Sequence, residues 1–150
     1  MTEPTTPVFD EVEVGTELPA LTVDVTTTTI VVGAIASRDF YPGHHDKDYA
    51  QRAGMDDVFM NILTTNGWVA RYLSDWAGPD GILRRLDLRL GVPNYPGDTM
   101  VLTGRVTGAR VAQGSGTVEI ELQGANGRGN HVTGRAVVEL PRATTTGPGG

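Results

Sequence analysis

Between Asp39 and Asp46 the chain reads Asp-Phe-Tyr-Pro-Gly-His-His-Asp, which puts two carboxylates and two of its three histidines into eight residues. Pro42-Gly43 is a turn signal. A turn there can fold the ends of the segment together so that Asp39 and His44 both touch one small molecule. An acid/base pair aimed at a water needs that arrangement. Imidazole exchanges a proton near neutral pH, and a carboxylate can orient or deprotonate the same water. Taken alone, the residues also have plainer uses. Asp39 can end a helix through an Asx turn, Asp46 is placed as an ordinary N-cap, and a histidine in a surface loop is usually just solvated. A metal set from His44, His45 and Asp46 is disfavoured. Adjacent side chains diverge, and the i, i+4 histidines of a helical zinc site are missing.

The elements around this loop must position it. Leu21, Val23 and Val25 alternate with Thr22, Asp24 and Thr26, the period of a half-buried strand. Thr28 or Thr29 then offers an N-cap for a helix carrying Ile30, Val31, Ala34 and Ile35, which should stop near Ser37. Beyond the loop, Asp46 can cap a short helix over Lys47 to Ala53, with Gly54 just past its end. The longest helix should run from about Asn61 to Trp76, with Ile62, Leu63, Trp68, Val69, Tyr72, Leu73 and Trp76 at steps of three and four apart from one longer gap. Gly67 inside it costs about 1 kcal/mol against alanine, and the expected return is close packing against a sheet. Gly78-Pro79 ends it. Four strands follow, centred on Leu86–Leu90, Thr99–Arg110, Val118–Leu122 and Val132–Glu139. The segments VPNYPGD, AQGSG and NGRGN join them, so the expectation is an antiparallel meander. A helix apolar over most of its circumference must be largely enclosed, and one curved antiparallel sheet wrapped round it would do so. That is an α+β hotdog fold. The single domain should span residues 8–142, with 1–7 and 143–150 as flexible tails.

Composition narrows the function. Eighteen acidic against twelve basic residues give a net charge of −6, which argues against nucleic-acid binding and against a polybasic membrane patch. Without cysteine, disulfides, thiolate catalysis and Cys-ligated zinc are excluded. There is no apolar run of bilayer length, and acids stand where a signal peptide needs bases, so the expected location is cytoplasmic. At 150 residues the chain can fold on an ordinary core.

The spacing D-x-x-P-x-H-x-D from Asp39 to Asp46 resembles the hydratase motif G-D-x-N-P-x-H-x-D of MaoC-like (R)-specific enoyl-CoA hydratases. The likeness extends along nearly the whole domain. FDEVEVGTELPALT is similar to the family's first strand, NILTTNGWVARYL to its central helix, and VPNYPGDTMVLTGRV to its P-G-D-T turn and the next strand. RDF…HHD, NILT, RYLSDWAGP and LRLGVP together resemble the small subunits of actinobacterial steroid side-chain hydratases, MaoC-like proteins of cholesterol catabolism that pair with a second MaoC-like subunit. Two positions depart from the motif, Arg38 standing for Gly and Tyr41 for Asn, and outside it Asn61 stands for the family's Gly near the start of the central helix.

The resemblance implies that Asp39 and His44 hold and activate a water. It also implies that backbone N–H groups at Asn61 and Ile62 stabilise the enolate oxygen, a placement suited to the positive end of a helix. Removing either catalytic side chain should abolish hydration with little loss of stability, since loop side chains pack little. No cofactor and no metal are expected, CoA being part of the acyl-CoA substrate. The expected partner is a second MaoC-like subunit, or a second copy in a homodimer. A non-catalytic interaction subunit and a hotdog acyl-CoA thioesterase are the competing readings. For the rest, Trp68, Tyr72 and Trp76 read as core or interface. Arg84, Arg85 and Arg89 read as CoA-phosphate ligands or a strand's polar face. Asp98 reads as a turn residue and His131 as structural or solvated.

Overall fold

The structure, a computed structural model, describes residues 5–112 and 114–143. Five strands form one antiparallel sheet: β1 (Glu17–Asp24), β2 (Ile82–Leu90), β3 (Thr99–Ala112), β4 (Ser115–Asn126) and β5 (Gly129–Leu140), in the order β1-β3-β4-β5-β2. Three helices, α1 (Thr27–Ala36), α2 (Lys47–Arg52) and α3 (Ile62–Ala77), lie between β1 and β2 in sequence. The strands alternate as expected, and their inward residues make the core. Met100, Leu102, Val106, Val118, Ile120, Val132, Ala136 and Val138 are all essentially solvent-free and pack with Val69, Tyr72, Leu73 and Ala77 of α3. Full burial of one such side chain stabilises by about 1.5–3 kcal/mol, so this face fixes α3 against the sheet.

Several expectations are corrected. The meander holds for β3, β4 and β5, but β2 pairs with β5 at the far edge and does not adjoin β3. Residues 91–98 therefore form a crossover. Pro93 and Pro96 favour extended backbone in the residues before them. Buried Asn94 anchors the crossover, its carbonyl taking the Met60 N–H at 3.0 Å and its side-chain oxygen the Asn126 amide at 2.8 Å. The first strand begins earlier than its alternation suggests. A register shift between Leu18 and Leu21 breaks the period of two, so Leu18 is buried three positions, not two, before Leu21. The cap of α1 is Thr26, whose hydroxyl accepts the Thr29 N–H at 3.0 Å. Both β3–β4 and β4–β5 turns are tighter than the loops foreseen, since Ala112 pairs with Ser115 and Asn126 with Gly129.

The central helix is not enclosed by this chain. Its apolar residues Ile62 and Leu63 are about half exposed, at 51% and 48%. Gly67 faces open space, so it serves no close packing. The glycine that does is Gly33 of α1, where a β-carbon would overlap the Thr64 side chain of α3. Of the expected tails, Thr6 donates to Asp80 and accepts the Asp80 N–H, and the Ala143 N–H bonds Asp10. Residues 1–4 and 144–150 lie outside the described residues, as does position 113 of the AQGSG loop.

Candidate active site

The local sequence places Asp39 with little freedom. Helix α1 ends at Ser37, the Arg38 N–H bonds the Ile35 carbonyl at 3.0 Å, and the Asp39 N–H bonds the Ala34 carbonyl at 2.9 Å. This is a Schellman closure, which puts its one left-handed residue just past the cap. That residue is Arg38, with φ 58°. The position explains why the hydratase motif favours glycine there, since a β-carbon is strained in this conformation. Arg38→Gly should accordingly leave the protein as stable or up to about 1 kcal/mol more stable, the relief of strain exceeding the entropy glycine adds to the unfolded chain. A clear loss of stability in urea denaturation would mean that the Arg38 side chain contributes something the backbone does not reveal.

Pro42–His44 then makes one turn of 3-10 helix, and His44 is buried at 5% exposure. Its Nδ1 lies 2.7 Å from the Phe59 carbonyl oxygen. A carbonyl only accepts, so Nδ1 carries the proton and Nε2 of the neutral ring is an acceptor. Nε2 lies 3.4 Å from Asp39 Oδ2. The turn thus brings together the two residues singled out in the loop. Tyr41 and Phe59 stand edge-on to the imidazole, with ring centroids at 5.4 and 4.8 Å, and hold its plane. His45 is exposed and Asp46 caps α2, its Oδ1 accepting the Tyr49 N–H at 2.9 Å. Neither shares in the Asp39–His44 contact. His45→Ala should leave turnover within about twofold, the ordinary range for a surface change. A greater loss than for a His44 variant in the same assay would reverse the register assigned to the loop.

Asn61, expected to contribute through its backbone, brings its side chain to the site. It is the N-cap of α3, and its Oδ1 accepts the Thr64 N–H at 3.1 Å. That fixes the amide, so Nδ2 points at Asp39 Oδ2 (3.0 Å) and Ser37 Oγ (2.8 Å). This donor is the leading reason the Asp39 carboxyl is held below the ordinary aspartate range. The Tyr41 N–H and the charge of a protonated His44 act in the same direction, and partial desolvation opposes them. Asp39 is therefore a carboxylate at neutral pH. Ile62 is the first residue of α3, and a first-turn N–H has no acceptor within its own helix. The sequence offered no sign of the Ser37 and Asn61 side-chain roles, because each also serves as a helix cap.

The remaining candidates fall away from the pair. Tyr72 is core, its hydroxyl pushed up to about 12 by burial, and Trp68 and Trp76 are half-buried beside it. Arg84 pairs with Glu139 at 2.7 Å and Arg85 with Asp87 at 2.6 Å, both exposed, so these two arginines belong to the polar face of the sheet. Arg89 is exposed on the same strand. Asp98 serves its turn, accepting the Tyr95 N–H at 2.8 Å. His131 is buried and structural. Among the described residues no group of three or more His, Asp or Glu side chains is placed to hold a metal ion, and no helix is long and apolar enough to cross a membrane.

No family model matches the chain. It is 46% identical, over 85% of its length and 94% of the relative's, to the 3-oxo-4,17-pregnadiene-20-carboxyl-CoA hydratase beta subunit of Mycobacterium tuberculosis. A chain of the ChsH1–ChsH2 complex from M. tuberculosis superposes with a TM-score of 0.79 at 42% identity, covering 85% of this chain and 98% of that one. The R-hydratase PhaJ1 of Pseudomonas aeruginosa shares the fold at a TM-score of 0.79 and 22% identity, over 90% of this chain and 86% of that one. With the motif folded into a contacting Asp39–His44 pair on a hotdog scaffold, and with identity of this extent to a hydratase subunit, the chain belongs to the MaoC-like enoyl-CoA hydratase family.

Proposed function

We propose that this chain is the catalytic subunit of an enoyl-CoA hydratase acting on a steroid side-chain enoyl-CoA. The observation that carries the chemistry is a pair of acceptors, the Asp39 carboxylate and His44 Nε2, held at 3.4 Å. Two acceptors side by side take the two protons of one water and leave its lone pair free for C3 of the enoyl group. As the C3–O bond forms, the 2,3 π electrons move toward the thioester oxygen and one water proton passes to the pair. That proton returns to C2, so the elements of water are added and the enzyme is unchanged. The N–H groups at Asn61 and Ile62 are suited to the enolate oxygen, where one oriented donor is worth about 2.7–4 kcal/mol. No resident cofactor is needed, and CoA belongs to the substrate.

The steroid acyl group is supported by the name of the 46% identical relative. It is also supported by exposed apolar side chains on the segments that carry the pair and its Asn61 donor: Ile35 on α1, Phe40 in the loop, and Ile62 and Leu63 at the start of α3. A second MaoC-like subunit covering that surface would complete the acyl pocket, and the two-component complex of the solved relative supports this. The cysteine-free composition fits the reducing cytoplasm. The test is to incubate the protein with a steroid enoyl-CoA, with and without the partner subunit, and weigh the product. Gain of one water supports the proposal. Release of free CoA would make the chain a thioesterase, and no reaction with the partner present would make it an interaction subunit.

A further inference from the structure

We propose that Thr65 and His131 are positioning residues for the hydration site, holding the first turn of α3 where the Asn61 amide meets Asp39. The inference rests on the hydratase reading for its kinetic consequence but not for its geometry. Both side chains are buried, at 0% and 3% exposure, and neither touches the reacting pair. His131 faces inward because of a bulge. On β4, Gly124 pairs with Val132 and Ala125 with Asn130, so His131 is the extra residue between them. As a result His131 and Val132 are both buried in succession, which regular alternation forbids. A bulge that re-aims one side chain is common beside active sites.

The re-aimed ring joins three parts of the fold. His131 Nδ1 lies 2.7 Å from the Val92 carbonyl, at the start of the β2–β3 crossover, so Nδ1 bears the proton. Nε2 lies 2.8 Å from Thr65 Oγ1 and, in the neutral ring, accepts its hydroxyl proton. Burial pushes the imidazole below its ordinary range and favours that neutral form, while the bond to the Val92 carbonyl and then the charge of Asp98 act the other way. Thr65 in turn is joined to Asn61 through its backbone, its N–H closing the first helical bond to the Asn61 carbonyl at 3.2 Å. That carbonyl belongs to the peptide that carries the Ile62 N–H. The tether therefore sets both the Asn61 amide and the helix-start donor. An apolar pair would fill this space without the demand for partners, whereas a fully satisfied buried polar pair fixes direction as well as depth.

The test uses the full-length chain with its partner subunit, and the variants Thr65→Val and Thr65→Ser. Carbon-13 NMR of the Asp39 carboxyl, which faces His44 as its titratable neighbour, reads the geometry directly. Thr65→Val should raise the Asp39 titration midpoint, because the Asn61 donor is no longer held on it. It should also lower kcat on an enoyl-CoA by roughly 10- to 100-fold, the cost of a small misplacement. Binding of a saturated acyl-CoA should stay within about twofold, since the loss falls on the transition state. Thr65→Ser keeps the hydroxyl and should restore both readings, and His131→Leu should reproduce the valine variant. An unmoved Asp39 titration in Thr65→Val, or equal damage from Thr65→Ser, would overturn the proposal. If the wild-type complex hydrates no enoyl-CoA, the hydratase reading fails on its own, and the Asp39 titration still decides the positioning role.

Discussion

Asp39→Asn should lower the hydration rate by roughly 10²- to 10⁴-fold, the usual contribution of a group that takes or gives a proton in the transition state. The change keeps the volume of the side chain and its backbone closure, since the Asp39 N–H bond to Ala34 and the left-handed turn at Arg38 do not involve the carboxylate. It removes the charge and turns one acceptor into a donor. The Asn61 amide, whose orientation is fixed by the Thr64 N–H, then faces an amide that cannot accept through both of its atoms. The loss should appear in kcat far more than in the affinity for a saturated acyl-CoA, because water activation is felt only in the transition state. Stability gives a second check with a definite sign. Asp39 titrates lower in the folded protein than its ordinary value, chiefly through the Asn61 hydrogen bond. Such a group adds stability above its unfolded pKa and loses that increment as pH falls through its folded value. The variant lacks the increment, so any stability deficit against wild type at neutral pH should shrink on acidification. Steady-state rates near wild type would remove Asp39 from the mechanism. A deficit that stayed constant in acid would mean that the variant loses packing rather than charge, and one that grew would contradict the lowered Asp39 titration.

The legible part of this protein is local. The Pro-Gly turn between Asp39 and His44 is a short-range signal, and the structure folds it into a contacting pair. Strand alternation on β3, β4 and β5 is equally local, and its inward residues are the core. What could not be read is what depends on distant partners. Asn61 at the head of an apolar helix satisfies the rule for an N-cap by itself, so nothing marks its second use. That use exists only because Ser37 and Asp39, 24 and 22 positions earlier, converge on its Nδ2. Likewise the bond between Thr65 and His131 spans 66 positions and needs a bulge that no alternation rule announces. The placement of β2 fails for the same reason. A segment with two prolines and a Gly-Asp reads as a hairpin turn, yet its buried Asn94 is held by Asn126 and Met60, which fix it as a crossover past the β4–β5 turn. The central helix reads as enclosed because sequence reports apolarity without saying which chain covers it. Here about half of that apolarity at the helix start faces outward, next to Asn61, whose amide meets Asp39. That is where a bulky acyl group and a second subunit would both find surface.

His44→Asn should lower turnover by roughly 10²- to 10⁴-fold while leaving the protein close to wild-type stability, and His44→Ala should lose both. The two variants part because the two ring nitrogens do different work. Nδ1 donates to the Phe59 carbonyl at 2.7 Å, and the ring is buried between Tyr41 and Phe59. Only Nε2 faces Asp39. An asparagine side chain reaches about as far as Nδ1 and can keep the bond to Phe59, but it has nothing at the position of Nε2. Alanine abandons the carbonyl as well, and a buried acceptor left without a partner costs about 1–3 kcal/mol, before any loss from the emptied ring volume. The expectation that a loop histidine can be removed with little loss of stability is thereby corrected, because this one is only 5% exposed. Urea denaturation of both variants, run beside product mass from an enoyl-CoA, separates the roles. If the asparagine variant still hydrates the substrate near the wild-type rate, Nε2 is not the proton acceptor. The chemistry would then rest on Asp39 alone, with His44 a packing residue beneath it.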